Sequence, residues 1–296
     1  MSQTGKFSKR IFIIGAGFMG RGIAQICAQH GFSVSLIDND KEVLADARKE
    51  ILWSLEKLFS KKQMAEEPGD IIKRVVFSVN PDVHDKVDFL IECVPEDISL
   101  KKTVLVHYDK ICPSETIFAT NTSAIPIGKI AASTTRSDRL IGTHFASPPV
   151  MQKLVEVIPS LMTSKETVLN TRSFLENLER DIVEVKVDKA GFIMNRIYLA
   201  SAAEGIRLLE CGVASSAEID RAMRVGFGWS KGPLEAADLA GLDIIRAAMI
   251  SIWEDTADPR FSPPESLTRL VEAGRLGRKT GSGFYDYSKG DKTKKS

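Results

Sequence analysis

Short apolar segments alternate with longer amphipathic segments up to about residue 187. The short segments are rich in Val and Ile, which is typical of strands buried on both faces of a sheet. Segments 42–59, 98–111 and 164–178 instead repeat apolar residues at helical spacing. Strands that alternate with helices predict a doubly wound, mostly parallel α/β sheet. The predicted strands are 11–14, 34–37, 75–79, 89–94, 116–120, 140–144, 154–158 and 182–185.

The pattern changes near Val187, and no later segment has the character of a strand. Ser215, followed three positions later by Glu218, has the spacing of a capping box and predicts the start of a helix. We therefore expect an α/β domain over residues 1–187 and an all-helical domain over residues 188–296. The other predicted helices of the second domain are 192–210, 234–239, 243–253 and 264–273.

Three glycines follow the first predicted strand with the spacing Gly15-x-Gly17-x-x-Gly20. The first permits a tight turn, the second leaves room for a pyrophosphate, and the third lets the next helix pack closely. Asp38 ends the second predicted strand, where a carboxylate can accept hydrogen bonds from both hydroxyls of an adenosine ribose. Because a carboxylate repels a 2′-phosphate, the pattern predicts NAD rather than NADP as the cofactor.

Composition narrows the class of protein. A chain of 296 residues is long enough for two domains, and a formal net charge of +1 favours neither nucleic acid nor membrane as a partner. Residues 1–10 lack the apolar core of a signal peptide, and no apolar run is long enough to span a membrane. The four cysteines lack metal-ligand spacing, and three of them lie in or beside apolar runs, so we expect buried free thiols and no metal. The basic tail 289–295 is typical of a solvated chain end. From the free thiols and the lack of a signal peptide or a membrane-spanning run, we expect a cytoplasmic protein.

Among the four histidines, His144 is the candidate for chemistry. It ends an apolar strand, and ligands of open α/β sheets bind outside the carboxyl ends of strands. His30 at a helix end, His84 in a polar loop and His107 in a helix favour structural roles. Glu156, in the next predicted strand, is flanked by apolar residues and needs a partner. We expect it to orient the His144 imidazole as a general base, the alternative being unrelated structural roles.

Two further polar positions have simple structural interpretations when the residues are taken alone. Asn121-Thr122-Ser123 follows an apolar run, and a polar turn is the simplest interpretation there. Asn195 lies in the first turn of the long predicted helix, where it can satisfy backbone groups.

Taken together, these residues resemble the L-3-hydroxyacyl-CoA dehydrogenase family, and most closely its bacterial-type 3-hydroxybutyryl-CoA dehydrogenases. The resemblance covers nearly the whole chain. The matching motifs, in chain order, are Gly-Ala-Gly-Phe-Met-Gly (15–20), Glu-Cys-Val-Pro-Glu-Asp (92–97), Asn-Thr-Ser (121–123), Gly-Thr-His-Phe (142–145), Lys-Leu-Val-Glu-Val-Ile (153–158), Gly-Phe-Ile-Met-Asn-Arg (191–196), Gly-Pro (232–233) and Gly-Arg-Lys-Thr-Gly-Ser-Gly-Phe-Tyr (277–285).

The resemblance implies a Rossmann-type NAD-binding domain followed by a helical domain that closes over the substrate and forms a homodimer. It implies hydride transfer between NAD and L-3-hydroxyacyl-CoA of short chain, such as 3-hydroxybutyryl-CoA, in either direction. His144 would be the base, Glu156 would hold its tautomer, and Ser123 and Asn195 would bind the reacting oxygen. The implied cofactor-binding residues are Gly15, Gly17, Phe18, Met19, Gly20, Asp38, Glu96, Lys101, Ser123, Ser147 and Lys279, and the implied substrate-binding residues are Ser54, Lys61, Ser123 and Asn195.

One motif departs from the family. The family usually has His-Phe-Phe-Asn-Pro where this chain has His-Phe-Ala-Ser-Pro at 144–148. Ser147 replaces an amide and Ala146 replaces an aromatic ring, so we expect a reshaped pocket and an altered acyl preference. Taken without the resemblance, Lys61 is most simply a solvated residue at a helix end, because Lys62 adjoins it.

Two other functions fit the same nucleotide motif. The first is a related dehydrogenase of free hydroxy acids, of the gulonate or carnitine type, whose usual His-Pro-x-Asn-Pro this chain lacks. The second is a non-enzymatic NAD-binding protein of the crystallin kind. The four catalytic residue types that the resemblance implies are all present, which argues against the second.

Overall fold

The computed structural model describes residues 10–80 and 86–288. The chain divides into two compact units, Met1–Asp188 and Lys189–Ser296. His84 and the basic tail 289–295 lie outside the described residues, as does most of the N-terminal segment considered above.

Within the described residues, the first unit contains one eight-stranded sheet and six α-helices. The strands are β1 (Arg10–Ile14), β2 (Ser33–Ile37), β3 (Val75–Ser78), β4 (Phe89–Glu92), β5 (Ile117–Thr120), β6 (Leu140–Phe145), β7 (Leu154–Pro159) and β8 (Asp181–Glu184). The helices are α1 (Phe18–Gln29), α2 (Lys41–Ser60), α3 (Pro68–Ile72), α4 (Ile98–Asp109), α5 (Ile127–Ala131) and α6 (Lys165–Asn177).

The sheet has the order β3-β2-β1-β4-β5-β6-β7-β8. Neighbouring strands are parallel except β6 and β7, which are antiparallel, so β7 and β8 run against the other six. The predicted mostly parallel, doubly wound sheet is confirmed. The chain winds to one side of β1 with β2 and β3 and to the other side with β4, β5 and β6. This change of direction opens a crevice at the carboxyl ends of β1 and β4, where such sheets bind ligands.

The second unit is helical in its described residues. Its helices are α7 (Met194–Glu210), α8 (Ser216–Phe227), α9 (Pro233–Ala240), α10 (Leu242–Thr256) and α11 (Glu265–Glu272). The capping box of Ser215 and Glu218 is present at the start of α8. The predicted start of α7 at residue 192 is wrong. Gly191 and Phe192 have φ angles of +76° and +46°, and this left-handed turn delays the helix until Met194.

Two buried carboxylates attach the C-terminal segment to the helices of this unit. Asp238 accepts hydrogen bonds from the backbone N–H of Phe284 (3.0 Å) and Tyr285 (2.9 Å) and from the Tyr287 hydroxyl (3.0 Å). Asp220 accepts one from the Tyr285 hydroxyl (2.6 Å). Burial and the neighbouring charge of Asp220 raise the pKa of Asp238, although these hydrogen bonds oppose the rise.

The glycine-rich motif at 277–285 has a structural explanation in this contact. A Cβ added at Gly277 would lie 2.3 Å from the Asp238 carbonyl oxygen, and one at Gly283 would lie 2.0 Å from its Oδ1. The segment passes so close to α9 that only residues without a side chain fit at these two positions.

The cysteines differ in part from expectation. Cys27 and Cys112 are buried free thiols, Cys93 is partly buried, and Cys211 is exposed just after α7 ends. Among residues 10–80 and 86–288, no group of His, Cys, Asp and Glu side chains could hold a metal ion. In the same residues, no helix combines the length and apolarity needed to cross a membrane.

Candidate active site

The glycine loop joins β1 to α1 at the crevice in the sheet. Gly15 has a φ angle of +98°, and its N–H donates to the carbonyl of Ile37 at 2.7 Å. A Cβ at this position would lie 2.7 Å from the Cys93 carbonyl oxygen, at the end of β4. The turn is therefore held tightly against both neighbouring strands, and a side chain would disrupt it.

The other two glycines have different constraints. A Cβ at Gly20 would lie 1.8 Å from the Gly15 carbonyl oxygen, so the helix can follow the loop only if this residue is glycine. Gly17 caps α1, is exposed, and has an ordinary φ of −64°. A Cβ there would meet no protein atom within 4 Å, so the fold itself does not require a glycine at 17.

The residues around the loop fit a dinucleotide. The open space at Gly17 lies at the N-terminus of a twelve-residue helix, where backbone N–H groups and the helix dipole favour a pyrophosphate. Asp38 lies beside this loop, because its Oδ2 accepts a hydrogen bond from the Ala16 N–H at 2.8 Å. Phe18 and Met19 form the first turn of the same helix, with Phe18 largely exposed.

A buried ion pair lies at the carboxyl end of β4. Lys101, on α4, is only 1% exposed and Glu92 is fully buried. The Lys101 Nζ lies 2.9 Å from Glu92 Oε1, 3.1 Å from the Val94 carbonyl and 3.2 Å from Glu96 Oε2. Glu92 also accepts hydrogen bonds from the Thr120 hydroxyl (2.6 Å) and the Val94 N–H (2.7 Å). Three acceptors thus surround an ammonium with three N–H donors.

Both members of this pair have shifted pKa values. Burial raises the pKa of Glu92 above its usual range, although Lys101 and Thr120 oppose the shift. Burial acts to lower the pKa of Lys101, but the carboxylates of Glu92 and Glu96 outweigh it and raise that pKa. The ammonium therefore stays charged at neutral pH.

Glu96 links this ion pair to the turn after β5. Its Oε1 accepts hydrogen bonds from the Thr122 hydroxyl (2.6 Å), the Ser123 N–H (2.7 Å) and the Ala124 N–H (3.0 Å). Its Oε2 faces Lys101. The backbone of Ser123 is consequently fixed by a carboxylate that is itself held by a buried cation.

His144 and Glu156 lie directly opposite each other on β6 and β7. Opposite residues of an antiparallel pair present their side chains on the same face, and these two are paired in the register. The His144 Nδ1 lies 2.6 Å from Glu156 Oε2, with Glu156 fully buried and His144 nearly so. An ionised carboxylate can only accept, so in this contact the imidazole would donate from Nδ1 and leave Nε2 as an acceptor.

Asn121 joins the ends of β5 and β6. Its Oδ1 accepts a hydrogen bond from the Phe145 N–H at 2.9 Å, and the side chain is buried. The polar-turn interpretation of 121–123 is therefore incomplete, because this amide ties the Ser123 turn to the strand that carries His144.

The segment after His144 begins in the sheet and ends against α1. Ala146 donates its N–H to the Leu154 carbonyl at 3.0 Å, which extends the β6–β7 pairing by one residue. Ser147 is exposed, and Pro149 is buried beside α1. The two small side chains of the motif departure therefore lie two and three residues after His144.

The remaining predicted site residues lie on α2 and in the second unit. Ser54 is partly buried on α2, and Lys61 is exposed at its C-cap. Asn195 lies in the first turn of α7. Lys279 forms an ion pair with Asp243, with Nζ–O distances of 2.6 and 2.8 Å.

Nearly the whole chain matches one family. Residues 10–188 match the model of the 3-hydroxyacyl-CoA dehydrogenase NAD binding domain, and residues 191–287 match the C-terminal domain of the same family. The chain belongs to the 3-hydroxyacyl-CoA dehydrogenase family. It is an NAD-dependent oxidoreductase, and the resemblance seen in the sequence motifs is confirmed.

Individual members of the family are similar over nearly their full length. A probable 3-hydroxybutyryl-CoA dehydrogenase of Bacillus subtilis is 39% identical over 280 residues, covering 94% of this chain and 97% of the relative. The mitochondrial hydroxyacyl-coenzyme A dehydrogenase of Sus scrofa is 38% identical, with 94% and 91% covered. The crystal structure of (S)-3-hydroxybutyryl-CoA dehydrogenase from Ralstonia eutropha matches with a TM-score of 0.90 and 37% identity, covering 95% of this dehydrogenase and 99% of that chain.

From the sequence alone, no role is predicted for two buried polar residues that support the site, Glu92 and Thr120, and Asn121 is interpreted only as part of a polar turn. Glu92 and Thr120 each end an apolar strand. A polar residue at the carboxyl end of a buried strand is the signal that singles out His144, and the same signal applies to Glu92 and Thr120.

Proposed function

We propose that this dehydrogenase interconverts short-chain L-3-hydroxyacyl-CoA and 3-ketoacyl-CoA with His144 as the acid–base group. The observation that carries the proposal is the buried His144–Glu156 pair at the carboxyl end of β6. Glu156 holds the neutral imidazole with its proton on Nδ1, so that Nε2 takes the proton of the substrate hydroxyl. The buried carboxylate then stabilises the imidazolium that forms.

The other residues of the site would bind and orient NAD and the substrate. The N–H groups at Gly17 and the start of α1 would hold the pyrophosphate of NAD, and Asp38 its adenosine ribose. When bound, NAD supplies the acceptor for the hydride that leaves C3 of the hydroxyacyl group. Ser123, with its backbone fixed by Glu96, would donate to the reacting oxygen as charge develops there, together with Asn195.

The finer assignments complete this proposal. Residues 1–187 serve as the NAD-binding domain, and residues 188–296 bind substrate and form a homodimer. Glu96, Lys101, Ser147 and Lys279 contribute to the cofactor site, and Ser54 and Lys61 to the CoA site. The protein acts in the cytoplasm.

One assay separates this function from the two alternatives. NADH oxidation is measured with acetoacetyl-CoA and with free acetoacetate at matched concentrations. The proposal predicts turnover of the thioester alone. Turnover of the free acid alone would favour the gulonate- or carnitine-type enzymes, and NADH binding without turnover of either would favour a non-enzymatic protein.

The acyl preference depends on the segment after His144. Because Ala146 and Ser147 are small, we propose that the acyl pocket differs from that of relatives with Phe and Asn there. The ratio of kcat/KM values for longer and four-carbon thioesters should shift toward the four-carbon substrate in Ser147→Asn. A four-carbon preference in the wild type that Ser147→Asn leaves unchanged would contradict this.

A further inference from the structure

A carboxylate at the end of the first unit holds the start of α5. The two oxygens of Asp188 accept hydrogen bonds from the backbone N–H groups of Ile127 (2.8 Å, to Oδ1) and Gly128 (2.7 Å, to Oδ2). Asp188 is the last residue of the unit and follows Gly128 by 60 positions. A Cβ at Gly128 would lie 3.4 Å from Oδ2, so the carboxylate rests directly against this backbone. The contact thus joins two segments that are distant in the sequence.

The residues next to α5 cannot make this contact themselves. Pro126 is the N-cap of the helix, and it has neither a side-chain acceptor nor a backbone N–H. The first N–H groups of a helix have no partner within the helix. Asp188 supplies a carboxylate to two of them, and such hydrogen bonds are about twice as strong as those between neutral groups. The start of α5 is consequently fixed by Asp188 and not by a neighbour in the sequence.

The start of α5 is also the far end of the turn that carries Ser123. The near end is held by Glu96, whose Oε1 accepts hydrogen bonds from the N–H groups of Ser123 and Ala124. Residues 121–127 are all buried except Ser123, which is partly exposed. Two carboxylates, one at each end, therefore hold a turn whose one accessible side chain is that of Ser123.

The far end of this turn contacts the strand that carries His144. Ile127 is fully buried, and a Cβ added at Gly142 would lie 2.6 Å from its Cδ1. The Ile127 side chain therefore rests on the backbone of β6 at Gly142. Positions 142 and 144 are two residues apart on this strand, so they face the same side of the sheet. Asp188 thus fixes the turn at the point where it packs beside the strand of the proposed base.

We infer that Asp188 is a positioning residue for the reaction, which holds the turn so that the Ser123 hydroxyl meets the reacting oxygen. The inference rests on the proposed function, in which Ser123 donates to that oxygen. Asp188 acts through the backbone of α5 and not by contact with the substrate. Without its carboxylate, two N–H groups of α5 lose this partner and the turn can shift. A misplacement of about 1 Å can lower a rate about 100-fold.

The test is a double-mutant cycle on kcat for acetoacetyl-CoA reduction, in the full-length protein at saturating NADH and thioester. Asp188→Ala should lower kcat by about tenfold to 100-fold when Ser123 is present. In the Ser123→Ala background the hydroxyl is already absent, and Asp188→Ala should lower kcat by less than about twofold. Asp188→Asn keeps one oxygen acceptor and should lower kcat by a smaller factor than Asp188→Ala. A merely structural role predicts the same factor in both backgrounds.

Ser164→Ala is the matched control, because it removes a helix cap elsewhere in the same unit. The Ser164 hydroxyl caps α6 by accepting a hydrogen bond from the Thr167 N–H at 3.1 Å. Its loss should lower Tm by about 2–4 °C. It should leave kcat unchanged both with Ser123 and in the Ser123→Ala background.

Two results would overturn this inference and leave the proposed function standing. They are a wild-type kcat in Asp188→Ala, and a loss by the same factor with and without Ser123. If Asp188→Ala does not fold, Asp188→Asn is judged by the same two criteria. A wild-type kcat in Ser123→Ala, or no turnover of acetoacetyl-CoA by the wild type, would instead overturn the proposed function and this inference with it.

Discussion

Replacing Lys101 with methionine removes the cation from the buried network at the end of β4. The change keeps an unbranched side chain of similar length but leaves Glu92 fully buried without an opposite charge. Glu96 loses its ion pair as well, and the Ser123 turn loses the group that fixes Glu96. We expect a loss of both stability and turnover.

The expected loss of unfolding free energy follows from the contacts that Lys101 makes. Lys101 Nζ lies within 3.2 Å of oxygens on Glu92, Val94 and Glu96. Removing one partner of such a buried pair costs about 3–5 kcal/mol of unfolding free energy, most of it from the charge that remains. Glu92→Gln in the Lys101→Met background removes that charge and should recover at least about 1 kcal/mol.

The destabilisation caused by Lys101→Met should depend on pH. Burial already raises the pKa of Glu92, and loss of the ammonium raises it further. A carboxyl whose pKa is higher in the folded state contributes its full stability below its unfolded pKa and loses it as pH rises through the folded pKa. The destabilisation of Lys101→Met should therefore be smaller at about pH 5 than at about pH 8.

Urea unfolding at both pH values, followed by circular dichroism, measures these differences. The matched control is Lys102→Met, which removes the same charge from the adjacent, partly exposed position on α4 and should change stability by less than about 0.5 kcal/mol. Equal effects of the two variants, or a Lys101→Met loss that is independent of pH, would show that the ion pair with Glu92 does not stabilise the fold.

Two further variants test single contacts. Gly17→Val should raise the KM for NADH roughly tenfold, because its side chain would occupy the space of the pyrophosphate. It should not change Tm, because a Cβ there meets no protein atom within 4 Å. Gly20→Ala should instead lower Tm, because its Cβ would lie 1.8 Å from a carbonyl oxygen. A lowered Tm in Gly17→Val or an unchanged KM would contradict this. Tyr285→Phe should lower the unfolding free energy by about 1–3 kcal/mol in urea titration, because the buried Asp220 loses a hydroxyl donor, and an unchanged midpoint would show that this bond contributes nothing.

Local sequence signals were sufficient for most of the fold. All eight predicted strands exist, with ends shifted by a few residues, because buried parallel strands must be short apolar runs. The start of α7 was placed too early, since the apolar pattern continues through Phe192 and does not report its positive φ. Cys211 was not distinguished from the buried thiols, because composition does not show which side of a helix end faces water.

The site was predictable only where one residue could be placed by its strand. His144 and Glu156 were found because adjacent apolar strands place their polar residues in register. The Glu92–Lys101–Glu96 chain was not found, because it joins a strand, a helix and a loop whose relative position depends on the packing of the whole sheet.

Whether the His144–Glu156 pair performs the proton transfer is tested by the rate of acetoacetyl-CoA reduction by NADH in His144→Ala. Positioned acid–base catalysis contributes about 10²- to 10⁴-fold, and kcat should fall by that factor while the Kd for NADH stays unchanged. Glu156→Gln should lower kcat less than His144→Ala, because the base remains but its tautomer is no longer fixed. A His144→Ala variant with wild-type kcat would contradict the account.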